Sequence, residues 1–327
     1  MLFYDETLPF KISSEQEFAS LALDIFRYQS LNNIVYRDYL KALGIEPGDI
    51  DSVDKIPFLP ISLFKSRKPV SGNFIPEAVF RSSGTGGIDH SLHHIRKLSI
   101  YEKSFTEGFS LFYGDPSLLT IYALLPSYLE RNDSSLVYMA DRLIKKNSMG
   151  RGGFFLDNYK DLIKNIKQSL LRGDKVLLLG VSFALLDLAE NIGPDLSGVI
   201  VMETGGMKGR RKEIVRQELH SVLTERFNID SVHSEYGMTE LLSQAWSMGD
   251  GIFKTPPWMR IIIRDPLDPM SLVGKGRTGG INIIDLANIY SCSFIETADL
   301  GVLGEDGLFE VSGRFDSSDI RGCNLLI

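Results

Sequence analysis

The sequence predicts an α/β fold, a mainly parallel sheet covered by helices and closed by a β-rich subdomain. Three observations carry that expectation. From about residue 78, short apolar runs alternate with stretches of helical periodicity, the pattern of strands joined by helical crossovers. After about residue 250 the helical periodicity stops, and short apolar runs split by glycine turns take over. The 327 residues are 43% hydrophobic and 24% charged, which is enough apolar surface for a substantial core. That length suits two modules or one large α/β unit.

The elements follow in order. Ser14-Glu15-Gln16-Glu17 fits a capping box. Phe18, Leu21, Ala22, Ile25 and Phe26 then form a single helical stripe. A second helix around Val35–Leu43 stops at Gly44, with Pro47 just beyond. Pro57 and Pro60 mark an extended entry into the main body. Ala78–Arg81, Leu119–Leu125, Lys175–Leu179 and Gly198–Glu203 read as buried strands. Helices are expected over Ile100–Tyr113, Ser134–Lys145, Tyr159–Leu171 and Lys212–Arg226. The terminal strands are Met259–Arg264, Gly280–Leu286, Cys292–Glu296 and Leu308–Val311. The chain thus divides into a helical segment over 1–76 packed on the main body, that body over 77–312, and a tail over 313–327.

The net charge of −7 argues against a nucleic-acid surface, which would present a basic face. The first residues carry no positive segment followed by an apolar one, so no signal peptide is expected. No apolar run reaches the ~18 residues of a membrane span. Two cysteines, Cys292 and Cys323, exclude a disulfide framework in practice, and the cytoplasm is the expected compartment.

Four motifs can carry chemistry. Arg81-Ser82-Ser83-Gly84-Thr85-Gly86-Gly87 follows a predicted strand, and its small residues can turn backbone N–H groups and hydroxyls towards an anion. No Gly-Lys-Ser/Thr follows, so it is not a Walker-type loop, and a plain glycine turn is the simpler reading. Glu235-Tyr236-Gly237-Met238-Thr239-Glu240 gathers an aromatic ring, a hydroxyl and a carboxylate at a strand end. Such a set can stack on a base, bond a phosphate and hold Mg²⁺, although a capped strand end also accounts for it. Glu296-Thr297-Ala298-Asp299-Leu300-Gly301 offers a carboxylate for ribose hydroxyls, or an Asx-turn. Gly313-Arg314-Phe315-Asp316, placed just past the last strand, offers a guanidinium, or a surface turn.

In this order and spacing the four motifs resemble those of the acyl-adenylate-forming superfamily, which includes acyl-CoA synthetases, luciferases and peptide-synthetase adenylation domains. Thr204-Gly205-Gly206-Met207-Lys208-Gly209-Arg210 sits where that superfamily has a Gly-rich adenine wall. Ile56-Pro57-Phe58-Leu59-Pro60 and Arg321-Gly322-Cys323-Asn324 look most like the phenylacetate-CoA ligase branch, and within it the acyl-protein synthetases of the LuxE type. The resemblance spans nearly the whole chain. It implies the superfamily's large domain over 77–312 and a hinge-like tail over 313–327, without the small C-terminal cap domain and its lysine. The glycine loop is shorter than the usual Ser-Gly-Thr-Thr-Gly, and Leu129 falls roughly where many members place a histidine.

The implied reaction joins a carboxylic acid, a fatty acid in this branch, to the α-phosphate of ATP, then passes the acyl group to a thiol. An acyl carrier or a reductase would be the partner, with no nucleic acid and no membrane insertion. The resemblance assigns Ser82, Ser83, Gly84, Thr85 and Gly86 to phosphate, Thr239 to the α-phosphate and Glu240 to Mg²⁺. Tyr236, Gly205 and Gly206 flank adenine, Asp299 and Arg314 hold ribose, and Cys323 receives the acyl group. Without the cap lysine, Lys208 or Arg210 is the candidate to offset phosphate charge, although an exposed helix face also explains them.

Rival readings remain. A non-catalytic nucleotide- or partner-binding relative would tolerate the missing lysine. Gly180-Val181-Ser182-Phe183-Ala184 nearly matches the nucleophile elbow of serine hydrolases, although a serine there more often caps the next helix. His90, His93 and His94 fit no structural-zinc spacing and read as a solvated strand or loop face. Cys292 lies in a predicted strand and reads as core packing.

Overall fold

The computed structural model describes residues 5–82, 90–125, 133–205 and 214–315. The N-terminal segment holds α1 (Glu15–Asn32), α2 (Ile34–Ala42), β1 (Leu59–Pro60) and α3 (Leu63–Ser66). The expected stripe is buried, with Phe18, Leu21, Ala22, Ile25 and Phe26 all in the core. The capping box forms in altered form. Ser14 Oγ accepts from Glu17 N at 3.2 Å, but the Glu17 carboxylate takes the N–H and hydroxyl of Ser13, one residue earlier than the motif predicts. Gln29 then ties α1 to the main body, donating to the Ile289 carbonyl at 2.9 Å and accepting from Ser293 N at 2.9 Å.

The body continues with β2 (Ala78–Arg81), β3 (Leu92–Ile95), α4 (Leu98–Tyr113), β4 (Leu119–Leu124), α5 (Ser135–Lys145), β5 (Gly153–Phe155) and α6 (Tyr159–Leu171). Next come β6 (Lys175–Val181), α7 (Ser182–Asn191), β7 (Val199–Thr204), α8 (Arg216–Phe227) and β8 (His233–Tyr236). Strands alone follow: β9 (Ala245–Ser247), β10 (Ile252–Lys254), β11 (Met259–Arg264), β12 (Thr278–Asp285), β13 (Phe294–Leu303) and β14 (Phe309–Arg314).

One large sheet runs β11-β12-β13-β14-β10-β9-β8-β7-β6-β4-β5, with β1 added alongside β13. Its β5-β4-β6-β7-β8 half is parallel. From β8 to β11 every neighbouring pair is antiparallel. The β-rich end is therefore a continuation of the same sheet, joined through the β8–β9 pair. The central parallel strands are buried on both faces, as helix-covered strands must be, and this is why β4 and β6 read as unbroken apolar runs.

Ala78–Arg81 departs from expectation. It pairs antiparallel with β3 in a separate two-stranded sheet. Of its four residues only Phe80 is fully buried, against Tyr101 and Tyr138, so one face is enough for it. The helix expected from Lys212 begins at Arg216, and residues 206–213 lie outside the described residues.

Candidate functional site

In an open α/β sheet, ligands gather at the carboxyl ends of the parallel strands. Here β6, β7 and β8 end in register, with Val181 beside Thr204 and Thr204 beside Glu235. The residues that follow are Ser182, Gly205 and Gly237. Gly205 needs its glycine, because its φ of +68° is left-handed. Gly237 needs it for space, because a Cβ there would stand 2.3 Å from Glu235 Oε1. That carboxylate also bonds the Thr204 hydroxyl, which locks the ends of β7 and β8 together.

Three residues from three separate motifs meet at one carboxylate. Asp299 lies within β13, directly across from Arg314 on β14. Arg314 Nε pairs with Asp299 Oδ1 at 3.1 Å, and Tyr236 at the end of β8 donates its hydroxyl to Oδ2 at 2.8 Å. Both Asp299 and Arg314 are therefore in strands, where the sequence suggested turns. The Tyr236 ring packs edge-on against Phe253 and Phe309. Burial, with the Asp299 charge beside it, pushes the phenol well above its ordinary range. The Arg314 side chain is 76% exposed and can turn to a ligand, whereas Asp299 is shielded.

Thr239 and Glu240 occupy the turn after β8, and three buried side chains hold it. His93 Nδ1 donates to the Thr239 carbonyl at 2.7 Å. Asn288 Nδ2 donates to the Glu240 carbonyl at 2.8 Å, and its Oδ1 faces His93 Nε2 at 3.0 Å. Asp285 accepts from the N–H groups of Leu242 and Ser243 at 2.8 and 3.0 Å, and from the Ser243 hydroxyl at 2.6 Å. Glu240 is buried, and burial raises its pKa; a hydrogen bond from Ser91 and the Arg314 charge offset this only in part.

Ser91 ties this turn to the stem of the glycine loop. Ser82 N donates to the Ser91 carbonyl at 3.0 Å, and Ser91 N donates to Ser82 Oγ at 2.9 Å. His90 Nδ1 bonds the Ser82 carbonyl at 2.9 Å. The loop's stem thus stands beside Glu240. Ser83, Gly84, Thr85, Gly86, Leu129, Gly206, Lys208, Arg210 and Cys323 lie outside the described residues.

Three expectations need correction. His93 does not lie on a solvated face: it is buried, with Phe64 edge-on to its ring, and burial lowers its pKa to about 4 against the two hydrogen bonds that favour the charged ring. In the β3 sequence Leu-His-His-Ile the outward Leu92 and half-buried His94 alternate with inward His93 and Ile95, so alternation could have found it. Ser182 does not cap α7. Its buried hydroxyl donates towards Glu203 Oε2 at 3.0 Å and the Gly205 carbonyl at 2.8 Å, so its proton is committed to acceptors other than a histidine. Gly313 and Arg314 belong to the last strand, not to a turn beyond it. Asp285 and Asn288 carried no sequence signal. Cys292 is buried with its thiol pushed up to about 12, as core packing requires. Among the described residues no group of three His, Cys, Asp or Glu side chains could hold a metal, and no helix is long and apolar enough to cross a membrane.

A scan against protein-family models gave no match, and neither did a search of curated proteins. Solved structures do match. ATP-bound MatB from Rhodopseudomonas palustris superposes with a TM-score of 0.53 at 15% identity, over 72% of this chain and 48% of that one. The chain therefore spans about half the length of that enzyme. An open conformation of 2-hydroxyisobutyryl-CoA ligase, in complex with 2-HIB-AMP and CoA, superposes with a TM-score of 0.67 at 13% identity, over 97% of this chain and 76% of that one. The luciferase-like enzyme of the Zophobas morio mealworm gives 0.50 at 20% identity, over 76% and 60%. Identities this low establish architecture alone, and the architecture is that of the adenylate-forming enzymes.

Proposed function

We propose that this chain activates a carboxylic acid with ATP, forming an acyl-adenylate and pyrophosphate. The observation that carries the reading is the convergence of Tyr236, Asp299 and Arg314 beside the Thr239–Glu240 turn, at the carboxyl ends of the parallel strands. A carboxylate oxygen attacks the α-phosphorus, the bond from that phosphorus to the bridging oxygen breaks, and pyrophosphate leaves with the electron pair. No enzyme nucleophile is required. The protein's task is to align the reacting atoms and to stabilise the charge that develops.

In this reading the Ser82–Gly86 loop cradles the phosphates, and the Thr239 hydroxyl bonds the α-phosphate. Asp299 exchanges its present partners for ribose hydroxyls while Arg314 swings onto the ligand. Tyr236, Gly205 and Gly206 border the adenine. Glu240 would be the Mg²⁺ ligand: it stands beside the stem of the Ser82–Gly86 loop through Ser91, and a bound dication would favour the ionised carboxylate that burial opposes. The acid belongs to the fatty-acid class; the Cys323 thiolate attacks the acyl carbonyl, the bond to the phosphate oxygen breaks and AMP leaves, and an acyl carrier or reductase receives the acyl group from the thioester. ATP–pyrophosphate exchange with a panel of carboxylic acids tests the proposal. Acid-dependent exchange supports it; exchange absent with every acid, beside measurable ATP binding, supports the non-catalytic relative.

A further inference from the structure

The first residue of α8 is an arginine, although a helix N-terminus disfavours a cation. Arg216 is held there by contacts reaching three strands. Its Nε donates to Glu203 Oε1 on β7 at 3.3 Å, and its Nη1 donates to the Val311 carbonyl on β14 at 3.0 Å. Its guanidinium lies over the Phe253 ring of β10, 5.0 Å from the centroid. Gly251 leaves room for it, since a Cβ there would approach Arg216 Cδ to 3.1 Å.

Glu203 is the other half of the contact. It is buried, and burial alone would raise its pKa, but His220, Arg216 and Ser234 together hold it below the ordinary carboxylate value. Its second oxygen faces Ser182 Oγ at 3.0 Å, and that hydroxyl also reaches the Gly205 carbonyl at 2.8 Å. A chain of polar contacts thus runs from Gly205 through Ser182, whose single hydroxyl proton is shared between the Gly205 carbonyl and Glu203, to Arg216 and Val311. Val311 lies three residues before Arg314 on the same strand.

We infer that Glu203 and Arg216 are a positioning pair that fixes Gly205, at the end of β7, against β14, and so sets the distance between the adenine and ribose sides of the nucleotide site. The inference rests on the nucleotide reading given above. Neither residue touches the nucleotide; both act through Gly205 and Arg314. Breaking the pair lets the two sides move independently and weakens ATP binding without removing any group that contacts ATP.

Equilibrium binding of ATP tests this, with affinity and stoichiometry measured separately. The proteins are the wild type, Glu203→Gln, Arg216→Met, Arg216→Lys, the double variant Glu203→Gln/Arg216→Met, and Asp299→Asn as a reference for the site itself. Glu203→Gln and Arg216→Met should each raise Kd by several-fold to about tenfold at unchanged stoichiometry. The double variant should be no weaker than the worse single one, because the pair acts as a unit. Arg216→Lys should recover part of the affinity, since its ammonium can still meet Glu203 but cannot fork to the Val311 carbonyl. If Arg216→Met does not fold, the isosteric Glu203→Gln carries the test. Unchanged Kd in both single variants, with Asp299→Asn weakened, overturns the inference and leaves the nucleotide reading intact. Reduced stoichiometry at unchanged Kd means the pair serves folding alone, and also overturns it. Wild type and Asp299→Asn binding equally, or not at all, removes the nucleotide reading and this inference with it.

Discussion

Replacing His93 with leucine isolates one buried polar contact behind the Thr239–Glu240 turn. The substitution brings in an apolar side chain of similar bulk and takes away the donor to the Thr239 carbonyl and the ring nitrogen facing Asn288 Oδ1. The neutral ring has a single N–H, which goes to the Thr239 carbonyl, and leaving that buried acceptor unpaired costs about 1–3 kcal/mol, partly offset by the more apolar side chain, so a net loss of about 1–2 kcal/mol is expected at pH 7. The loss should depend on pH. The ring's pKa falls from 6.5 to about 4 on folding, so between those values the unfolded chain binds a proton that the folded chain does not. Wild-type stability from this group is complete above pH 6.5 and declines as the pH falls towards 4. At 1.36 kcal/mol per unit, about 2.5 kcal/mol is gone by pH 4.5. The leucine variant lacks this dependence. Urea unfolding of both proteins at pH 7 and pH 4.5 reads it directly: the gap should move by about 2.5 kcal/mol in the variant's favour in acid. A gap that stays constant or widens in acid would mean that the buried ring is charged, and the description of this turn would be wrong.

Other outcomes follow from the proposed reaction. Glu240→Gln and Thr239→Ala should each remove most ATP–pyrophosphate exchange while leaving the unfolding midpoint close to wild type, and exchange near the wild-type rate in both would sink their assignment. Lys208→Ala or Arg210→Ala should raise the KM for ATP strongly if either cation offsets phosphate charge, and unchanged ATP dependence in both counts against that role. Incubation with ATP, Mg²⁺ and the right acid should leave a hydroxylamine-labile thioester on Cys323, which Cys323→Ser loses while still forming the adenylate. Intact mass showing turnover with Cys323 never modified would send the acyl group to another acceptor.

Much of the fold was legible because period and length are local properties. The α1 stripe of Phe18 to Phe26 and the apolar runs of β4 and β6 are each explained by burial of one helix face or of both sheet faces. The destination of a short strand is not local. Ala78–Arg81 is four residues long, and nothing in it says that it will pair with Leu92–Ile95 and not join the main sheet. β9 and β10 are three residues each, too short to show alternation, yet they join the parallel and antiparallel halves. The site divides in the same way. Tyr236, Asp299 and Arg314 were visible as motif residues, and the structure brings them together. The groups that hold the Thr239–Glu240 turn were not, because Asp285 is the last residue of β12 and Asn288 lies in the connection that follows, neither in a recognisable pattern. His93 escapes a reading by residue type because histidines favour water, whereas its position in the alternation of β3 turns it inward.

Acyl-adenylate formation is the claim on which the account depends, and mass spectrometry of the small molecules retained by the protein tests it most directly. The protein is incubated with ATP, Mg²⁺ and a mixture of fatty acids, separated from free nucleotide, and its bound contents are released and weighed. Acyl-AMP of one or a few chain lengths is expected, absent when ATP is withheld and absent from Glu240→Gln. Bound ATP or AMP alone, with no acyl-AMP from any acid offered, would contradict it.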